Sequence, residues 1–211
     1  MDHPASDINT RIGQRVRALR DGLSLSLDAL ADRSGVSRSA ISLIENGRSS
    51  PTATVLDKLA GALGVTVASL FELAPGPEAP PPPVARVADQ PVWTDPASGY
   101  RRRNVSPACP SPIQLVDVVF PPGQRVAYDA MAREADTRQQ VWMIDGEMEI
   151  TVGEATWRLE AGDCLAMGLD QAIVYRNPTR REARYLVALV TRPGPAAPPA
   201  STPRPAPRSA A

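Results

Sequence analysis

Histidine is almost absent from the sequence: the 211 residues contain only His3. A metal centre built from several imidazoles is therefore excluded. Cysteine is nearly as rare, and neither Cys109 nor Cys164 belongs to a C-x-x-C motif, which indicates free thiols in a reducing cytoplasm. We expect Cys164 to be a buried small side chain and Cys109 to be more exposed. A redox switch between the two thiols is the alternative.

The sequence also lacks a charge excess and a long apolar run. Its 23 basic and 23 acidic residues cancel, and the first 73 residues hold eight of each sign. This balance excludes a strongly basic protein that coats DNA regardless of sequence. It does not exclude local positive patches. No apolar run is long enough to cross a membrane, and the N-terminus lacks a basic-then-apolar signal pattern. We therefore expect a soluble cytoplasmic protein with no membrane partner.

Proline divides the chain. Fourteen of the 23 prolines lie in residues 75–91 and in residues 193–211. Both segments lack apolar periodicity, so they cannot bury enough surface to offset the entropy of ordering. The predicted organisation is a first domain at 8–73, a semi-rigid linker at 74–91, a second domain at 92–192 and a disordered tail at 193–211.

The first domain is predicted to contain five helices. Apolar residues recur at helical spacing, as in Ile8, Ile12, Val16 and Leu19 of the first helix. Thr52 has the chemistry of an N-cap, and Gly64 that of a helix end. The predicted helices cover residues 8–20, 26–34, 37–46, 52–63 and 66–73.

Residues 27–48 read as two short helices joined by a tight turn. Ala31 is small where the helices approach, and Gly35 supplies a backbone with positive φ at the turn. Val36 is predicted to be buried, and Ser37 to cap the second helix. Ile41 and Ile44 give that helix an apolar stripe. An ordinary helical hairpin with no further role is the alternative.

This stretch, with the ending Ile44-Glu45-Asn46-Gly47-Arg48 and then Pro51-Thr52, resembles the XRE-type, lambda-repressor-like helix-turn-helix. The resemblance covers residues 8–73 and implies a transcription regulator that binds double-stranded DNA as a homodimer on a near-palindromic operator. It places Arg38, Ser39, Ser42 and Leu43 at base edges, with Arg38 favouring guanine. Phosphate contacts are implied for Ser37, Asn46 and Arg48.

After the linker the pattern changes to short strands separated by turn residues, which indicates an all-β sandwich or barrel. Strands are predicted at 113–120, 141–152, 155–159, 173–176 and 185–190. Asp145-Gly146 divides the second of these and is typical of a β-hairpin turn.

The second region resembles a cupin, a small β-barrel, over residues 112–192. Gly162, Gly168, Asp170, Ile173 and Asn177 stand in the register of one family motif, and Gln139 and Gly146 in that of the other. The resemblance implies three histidines and one glutamate in metal-binding members. Here Ile173 and Gln139 replace two of those ligands, and residues 128–138 contain no histidine. We therefore expect no metal and no cofactor.

The cupin resemblance and strand alternation together predict a pocket. Gln139 replaces a ligand that points inward, so its side of the strand should face the pocket. Val141 and Met143 lie on the same side because side chains alternate along a strand. By the same reasoning Ile173 and Tyr175 point inward. Such a mostly apolar pocket suits a small organic effector that acts on DNA affinity through dimer geometry across the linker. The alternatives are a filled barrel serving for dimerisation or antitoxin-like protein interaction, and a metal-independent enzyme. We expect no enzyme, because no nucleophile–base pair is visible.

Overall fold

The computed structural model describes residues 4–72, 81–130 and 136–192. The first domain folds into four α-helices, α1 Pro4–Gly22, α2 Leu27–Ser34, α3 Arg38–Glu45 and α4 Ala53–Ala62. The side chains of Ser26, Ser37 and Thr52 accept hydrogen bonds from backbone N–H groups of α2, α3 and α4. The predicted caps at Ser37 and Thr52 are therefore confirmed, because each satisfies an otherwise unpaired donor.

The predicted fifth α-helix is wrong: Ala68–Phe71 forms a single turn of 3₁₀ helix. Thr66 Oγ1 accepts a hydrogen bond of 3.1 Å from the Ser69 backbone N–H and starts this turn. Glu72 then adopts an extended backbone, with φ −73° and ψ 142°. The chain thus leaves the helical path before an α-helix can form.

The turn between α2 and α3 has the predicted geometry. Gly35 has φ 66°, and its backbone N–H donates to the Ala31 carbonyl at 2.8 Å. Val36 is buried in the turn, and Ile41 and Ile44 fix α3 on the helical core. Because glycine has no Cβ, Gly35 adopts the left-handed conformation easily, and only three residues separate α2 from α3.

The second domain contains ten strands among the described residues. The 3₁₀ turn Val87–Asp89 precedes them. The bounds are β1 Val92–Thr94, β2 Arg101–Asn104, β3 Ile113–Phe120, β4 Arg125–Tyr128, β5 Asp136–Asp145, β6 Glu147–Val152, β7 Ala155–Glu160, β8 Cys164–Gly168, β9 Ile173–Arg176 and β10 Ala183–Arg192. They form two antiparallel sheets instead of the predicted closed barrel, in the orders β1-β2-β3-β10-β5-β8 and β4-β9-β6-β7.

The predicted hairpin at Asp145-Gly146 is wrong. β5 pairs with β8 and β10 in the larger sheet, whereas β6 pairs with β7 and β9 in the smaller one. Gly146 has φ 78°, and a Cβ there would lie 2.7 Å from the Glu182 carbonyl oxygen. The glycine therefore turns a corner between sheets beside another backbone. The hairpin lies one turn later, where Gly153 separates β6 from β7.

The two domains are in direct contact. Asp95, only 2% exposed, follows β1, and its Oδ1 accepts a hydrogen bond of 3.1 Å from the backbone N–H of Ala53 in α4. Thr54 Oγ1 donates to the Ala127 carbonyl at 3.2 Å. The second domain thereby satisfies part of the N-terminus of a helix in the first. No helix within the described ranges has the length and apolarity needed to span a membrane.

Candidate DNA interface and interdomain cavity

The outward face of α3 is the candidate DNA interface. Arg38 and Ser39 are exposed at its start, Ser42 is half-buried, and the Leu43 side chain is 47% exposed. Ile41 and Ile44 lie on the opposite face in the core. The helix therefore presents Arg38, Ser39 and Leu43 together on its outward face, the face that a recognition helix turns toward DNA.

Arg38 has a partner within the protein. Its Nε lies 3.3 Å from Asp28 Oδ1, and the two side chains are 66% and 70% exposed. An ion pair this exposed contributes about 0–1 kcal/mol, so it does not hold Arg38 away from DNA. Arg38 stands at the N-terminal end of α3, the end from which a recognition helix contacts bases.

The predicted phosphate-contacting residues differ in availability. Arg48 is exposed, and Ser37 Oγ caps α3 through the Ala40 N–H while lying 3.2 Å from Ser39 Oγ. Asn46 is occupied on both sides: its Nδ2 donates to the Ser42 carbonyl at 2.7 Å, and its Oδ1 accepts from Arg17 at 3.0 Å. In this structure Asn46 therefore fixes α3 against α1.

A buried ion pair and a close backbone contact also hold α3 on α1. Glu45 is 6% exposed, and its carboxylate receives Arg20 Nε at 2.7 Å. The hydrogen bond and charge of Glu45 raise the pKa of Arg20. A Cβ on Gly13 would lie 2.2 Å from the Ile44 carbonyl oxygen. The roles of Gly13 and Arg17 could not be predicted from the sequence, because they depend on which helix α1 contacts.

The second site is a cavity of about 80 Å³ between the domains. The chain has only four tyrosines, and all four line this cavity: Tyr100, Tyr128, Tyr175 and Tyr185. Gln139 Nε2 donates to the Tyr175 hydroxyl at 2.7 Å, and the Tyr100 and Tyr128 hydroxyls lie 3.2 Å apart. The cavity therefore combines aromatic walls with several hydroxyl groups, an arrangement typical of small-molecule sites.

Burial raises the pKa of each of these four tyrosines. The low polarity of the surroundings disfavours a phenolate. All four hydroxyls therefore keep their protons at neutral pH and are available as donors.

Three of the five predicted pocket residues line the cavity: Gln139, Ile173 and Tyr175. Val141 and Met143 are fully buried and are not among its lining residues, although they share the inward face with Gln139. Trp142, on the other face of β5, points outward and is 49% exposed. The alternation of side chains along the strand identified the inward face, but it could not show which inward side chains reach the cavity and which pack in the core behind it.

The first domain forms one wall of the cavity. Asp57 of α4, with Val67 and Ala68 beside the 3₁₀ turn, line it together with the residues of the second domain. The ring of Phe71 lies 5.9 Å from that of Trp93. From Trp93 a chain of ring contacts runs through Tyr100, Phe120, Tyr185 and Tyr175 to Tyr128. Any ligand in the cavity would therefore touch both domains.

Two further predictions concern thiols and metals. Cys164 is exposed and Cys109 is partly buried, so the expected burial of Cys164 is wrong. Cys164 stands opposite Trp142 at the start of β8, on the outer face of the larger sheet. Among the described residues no group of three or more His, Cys, Asp or Glu side chains is arranged to hold a metal ion.

This geometry defines a helix-turn-helix domain joined to an antiparallel β domain. The helix-turn-helix family model HTH_3 matches residues 16–70, so this part of the chain is an HTH_3 (XRE-type) helix-turn-helix domain. An immunity repressor protein of Bacillus phage phi105 is 37% identical over 59 residues, 28% of this chain. The chain spans 41% of the length of that relative.

The fold is shared with a solved structure that covers most of the chain. An HTH_3 family transcriptional regulator from Vibrio cholerae has a TM-score of 0.70 at 21% identity, covering 88% of this chain and 98% of its own. A cupin domain of an XRE family transcriptional regulator from Enterobacter cloacae has a TM-score of 0.35 at 19% identity, covering 37% and 81%. Hydroxypropylphosphonic acid epoxidase from S. wedmorenis has a TM-score of 0.43 at 16% identity, covering 87% and 98%.

Proposed function

We propose that the chain is a sequence-specific, DNA-binding transcription regulator whose cupin-like domain responds to a small organic effector. The observation that carries the proposal is the outward face of α3, where Arg38, Ser39 and Leu43 are exposed on a helix fixed by its opposite face. A rigid helix with short polar groups and one arginine at its N-terminal end suits base reading in the major groove.

Selection from a random pool of double-stranded oligonucleotides tests this proposal without knowledge of the operator. We expect the full chain to enrich a near-palindromic sequence with half-sites about 34 Å apart, one turn of DNA. Absence of any enriched sequence, with binding equal on all members of the pool, would contradict the proposal.

A homodimer is part of the proposal, because two recognition helices must be held one helical turn apart. Trp142 and Ile144 support the outer face of the larger sheet as the contact, since they are 49% and 38% exposed. Sedimentation of the full chain should show a dimer that Trp142→Glu weakens. Trp157→Glu is the matched control, because that tryptophan is 40% exposed on the smaller sheet. Equal dissociation in both variants would exclude this face.

The effector acts, in this proposal, through the wall shared by the two domains. The sequence suggested coupling across the proline-rich linker, but α4 and the 3₁₀ turn contact the second domain directly. Three of the four buried polar atoms without a hydrogen-bond partner among the described residues lie on β1 and β2: Trp93 Nε1, Arg102 Nε and Asn104 Oδ1. An unsatisfied buried polar atom costs about 1–3 kcal/mol, so a change at this seam that gives these atoms partners would be stabilising.

Asp95→Asn tests that coupling. The substitution weakens the hydrogen bond to the Ala53 N–H while leaving α3 untouched. We expect DNA affinity to become less sensitive to an effector, measured by fluorescence anisotropy on the selected sequence. Glu147→Gln, on an exposed ion pair of β6, is the control. Unchanged effector sensitivity in Asp95→Asn would contradict coupling through this contact.

A filled domain serving only for dimerisation or protein interaction is the second candidate, and the exposed Trp142 is the observation that favours it. Under that candidate, DNA affinity would not change with any small molecule. A metal-independent enzyme is the third, and turnover in a substrate screen would support it.

A further inference from the structure

The cavity contains one arginine, and strand alternation explains why it points there. On β2, Arg101 and Arg103 share one face and Arg102 takes the other. Arg103 pairs with Asp117 on β3, whereas Arg102 lines the cavity, with its Cζ 5.5 Å from the centre of the Phe71 ring. A guanidinium stacked on an aromatic face keeps its N–H groups, which lie in its plane, available to an acceptor.

The cavity is lined by one cationic side chain, Arg102, and by two carboxylates, Asp57 and Asp129. Of its two carboxylates, Asp129 lies 3.7 Å from Lys58 Nζ, and Asp57 also has an interaction partner. Among the described residues no ion pair joins Arg102 to an acid, and its buried Nε has no hydrogen-bond acceptor, although the guanidinium is hydrogen-bonded to the Tyr100 hydroxyl. Its charge also opposes the effect of burial on the pKa of Tyr100, Tyr175 and Tyr185. A bound cation would therefore meet an uncompensated guanidinium.

The cavity also offers hydroxyl groups as hydrogen-bond donors. The Tyr175 hydroxyl accepts from Gln139 and so has its own proton to donate. The Tyr100 and Tyr128 hydroxyls share one hydrogen bond, which leaves a second hydroxyl proton available. A ligand that accepts several hydrogen bonds and carries a negative charge satisfies all of these groups at once.

We propose that the interdomain cavity binds a small carboxylate, held by Arg102 and the tyrosine hydroxyls against the wall formed by the DNA-binding domain. This inference rests on the proposed function, since it names the chemical class of the effector. The volume of about 80 Å³ is roughly half of an engineered cavity that accepts benzene, which favours a short aliphatic acid. Because Arg102 stacks on Phe71, the carboxylate sits one side chain away from the DNA-binding domain.

Propionate is the probe, with propionamide and propylamine as neutral and cationic molecules of nearly equal shape. Thermal unfolding of the full chain is measured against ligand concentration at matched ionic strength. We expect a saturable rise in melting temperature with propionate that exceeds the rise with either control molecule. An equal or larger rise with propylamine would overturn the proposal, and so would the absence of a saturable rise with both propionate and the larger benzoate.

Arg102→Gln removes the charge while keeping most of the stem, and we expect it to weaken propionate binding about tenfold or more. Arg101→Gln, on the opposite face of the same strand, is the matched control and should bind propionate normally. Tyr175→Phe removes one hydrogen-bond donor and should also weaken propionate binding. It tests the site independently if Arg102→Gln fails to fold. Equal binding by all three variants would assign the thermal shift to another site and overturn the proposal.

Oligonucleotide selection, run in parallel, separates the two proposals. A chain that selects a DNA sequence but binds no carboxylate overturns only the ligand class. A chain that binds propionate through Arg102 but selects no sequence overturns only the proposed function.

Discussion

In the proposed complex, Arg38 exchanges its partner on α2, Asp28, for a base on DNA. The ion pair with Asp28 is exposed, so water already screens it and its loss on DNA binding costs little. A two-pronged contact with guanine is stronger, since it joins two aligned hydrogen bonds in a groove from which water has been displaced. At this residue the balance therefore favours DNA.

The first prediction concerns this residue. Arg38→Ala should cost about 1–3 kcal/mol of binding free energy and relax preference at one base pair. Asp28→Asn should leave that preference intact and strengthen binding by no more than about 1 kcal/mol. Anisotropy titrations on the selected sequence and on single-base variants measure both effects. Equal loss on specific and random DNA would contradict base reading by Arg38.

Asp117 gives a pH dependence. Burial alone would raise the pKa of Asp117, but hydrogen bonds from Arg184 and Arg103 outweigh it and hold the pKa below its ordinary value. Ionised Asp117 therefore stabilises the fold above about pH 4, and that stability is lost as pH falls through the lower folded pKa.

The difference in melting temperature between the wild-type chain and Asp117→Asn should accordingly be constant near neutral pH and shrink below about pH 4. Glu149→Gln, on a more exposed ion pair with Arg176, should show a smaller difference throughout. A difference that persists unchanged into acid would show that the charge of Asp117 is not the stabilising feature.

At the scale of elements, α3 is positioned by α1 as much as by the turn before it. Gly13 lets the two helices approach until its Cα faces the Ile44 carbonyl. The buried Glu45 then locks this approach through Arg20, at the end of the helix farthest from Arg38. A change on α1, which carries no predicted base contact, therefore affects recognition.

Gly13→Ala should therefore destabilise the chain by about 1–3 kcal/mol through overpacking and should weaken specific DNA binding. Gly22→Ala is the matched control, because a Cβ there meets nothing within 4 Å. Chemical denaturation and anisotropy measure the two effects. Unchanged stability in Gly13→Ala would mean that α1 and α3 separate at no cost.

Elements whose signals are local could be predicted from the sequence. Ser37 and Thr52 cap helices through N–H groups three residues away, so their role is visible in a short window. Gly146 is a turn residue in the same sense, but which strands pair beyond it depends on Glu182 and Ala183, far along the chain. The hairpin prediction failed for that reason.

The same limit applies to the cavity. Strand alternation identified Gln139 and Tyr175, because inward and outward faces repeat every second residue. Arg102 and Asp57 were missed, since Arg102 lies on a short strand whose sequence, RRRN, has no apolar–polar alternation, and Asp57 lies on a helix of the first domain. The residues on the two sides of an interdomain site are far apart in the sequence, so no short segment shows that they line one cavity.

At the scale of the whole molecule, the two domains share a core. Phe71 is 2% exposed although it lies at the end of the helical domain, because it packs on Trp93 and under Arg102. Asn104 Nδ2 donates to the Ala68 carbonyl at 3.1 Å across the same boundary. Neither domain can lose this contact without exposing aromatic surface of the other.

The chain should therefore unfold as one unit. We expect the helical signal in far-ultraviolet circular dichroism and the aromatic signal in the near ultraviolet to change in a single coincident transition. Phe71→Ala should remove about 3–5 kcal/mol and separate the two signals, while Phe71→Leu should cost less and keep them coincident. Two transitions in the wild-type chain would mean that the domains are joined only by their linker, and an effector bound to one could then reach DNA only through the dimer.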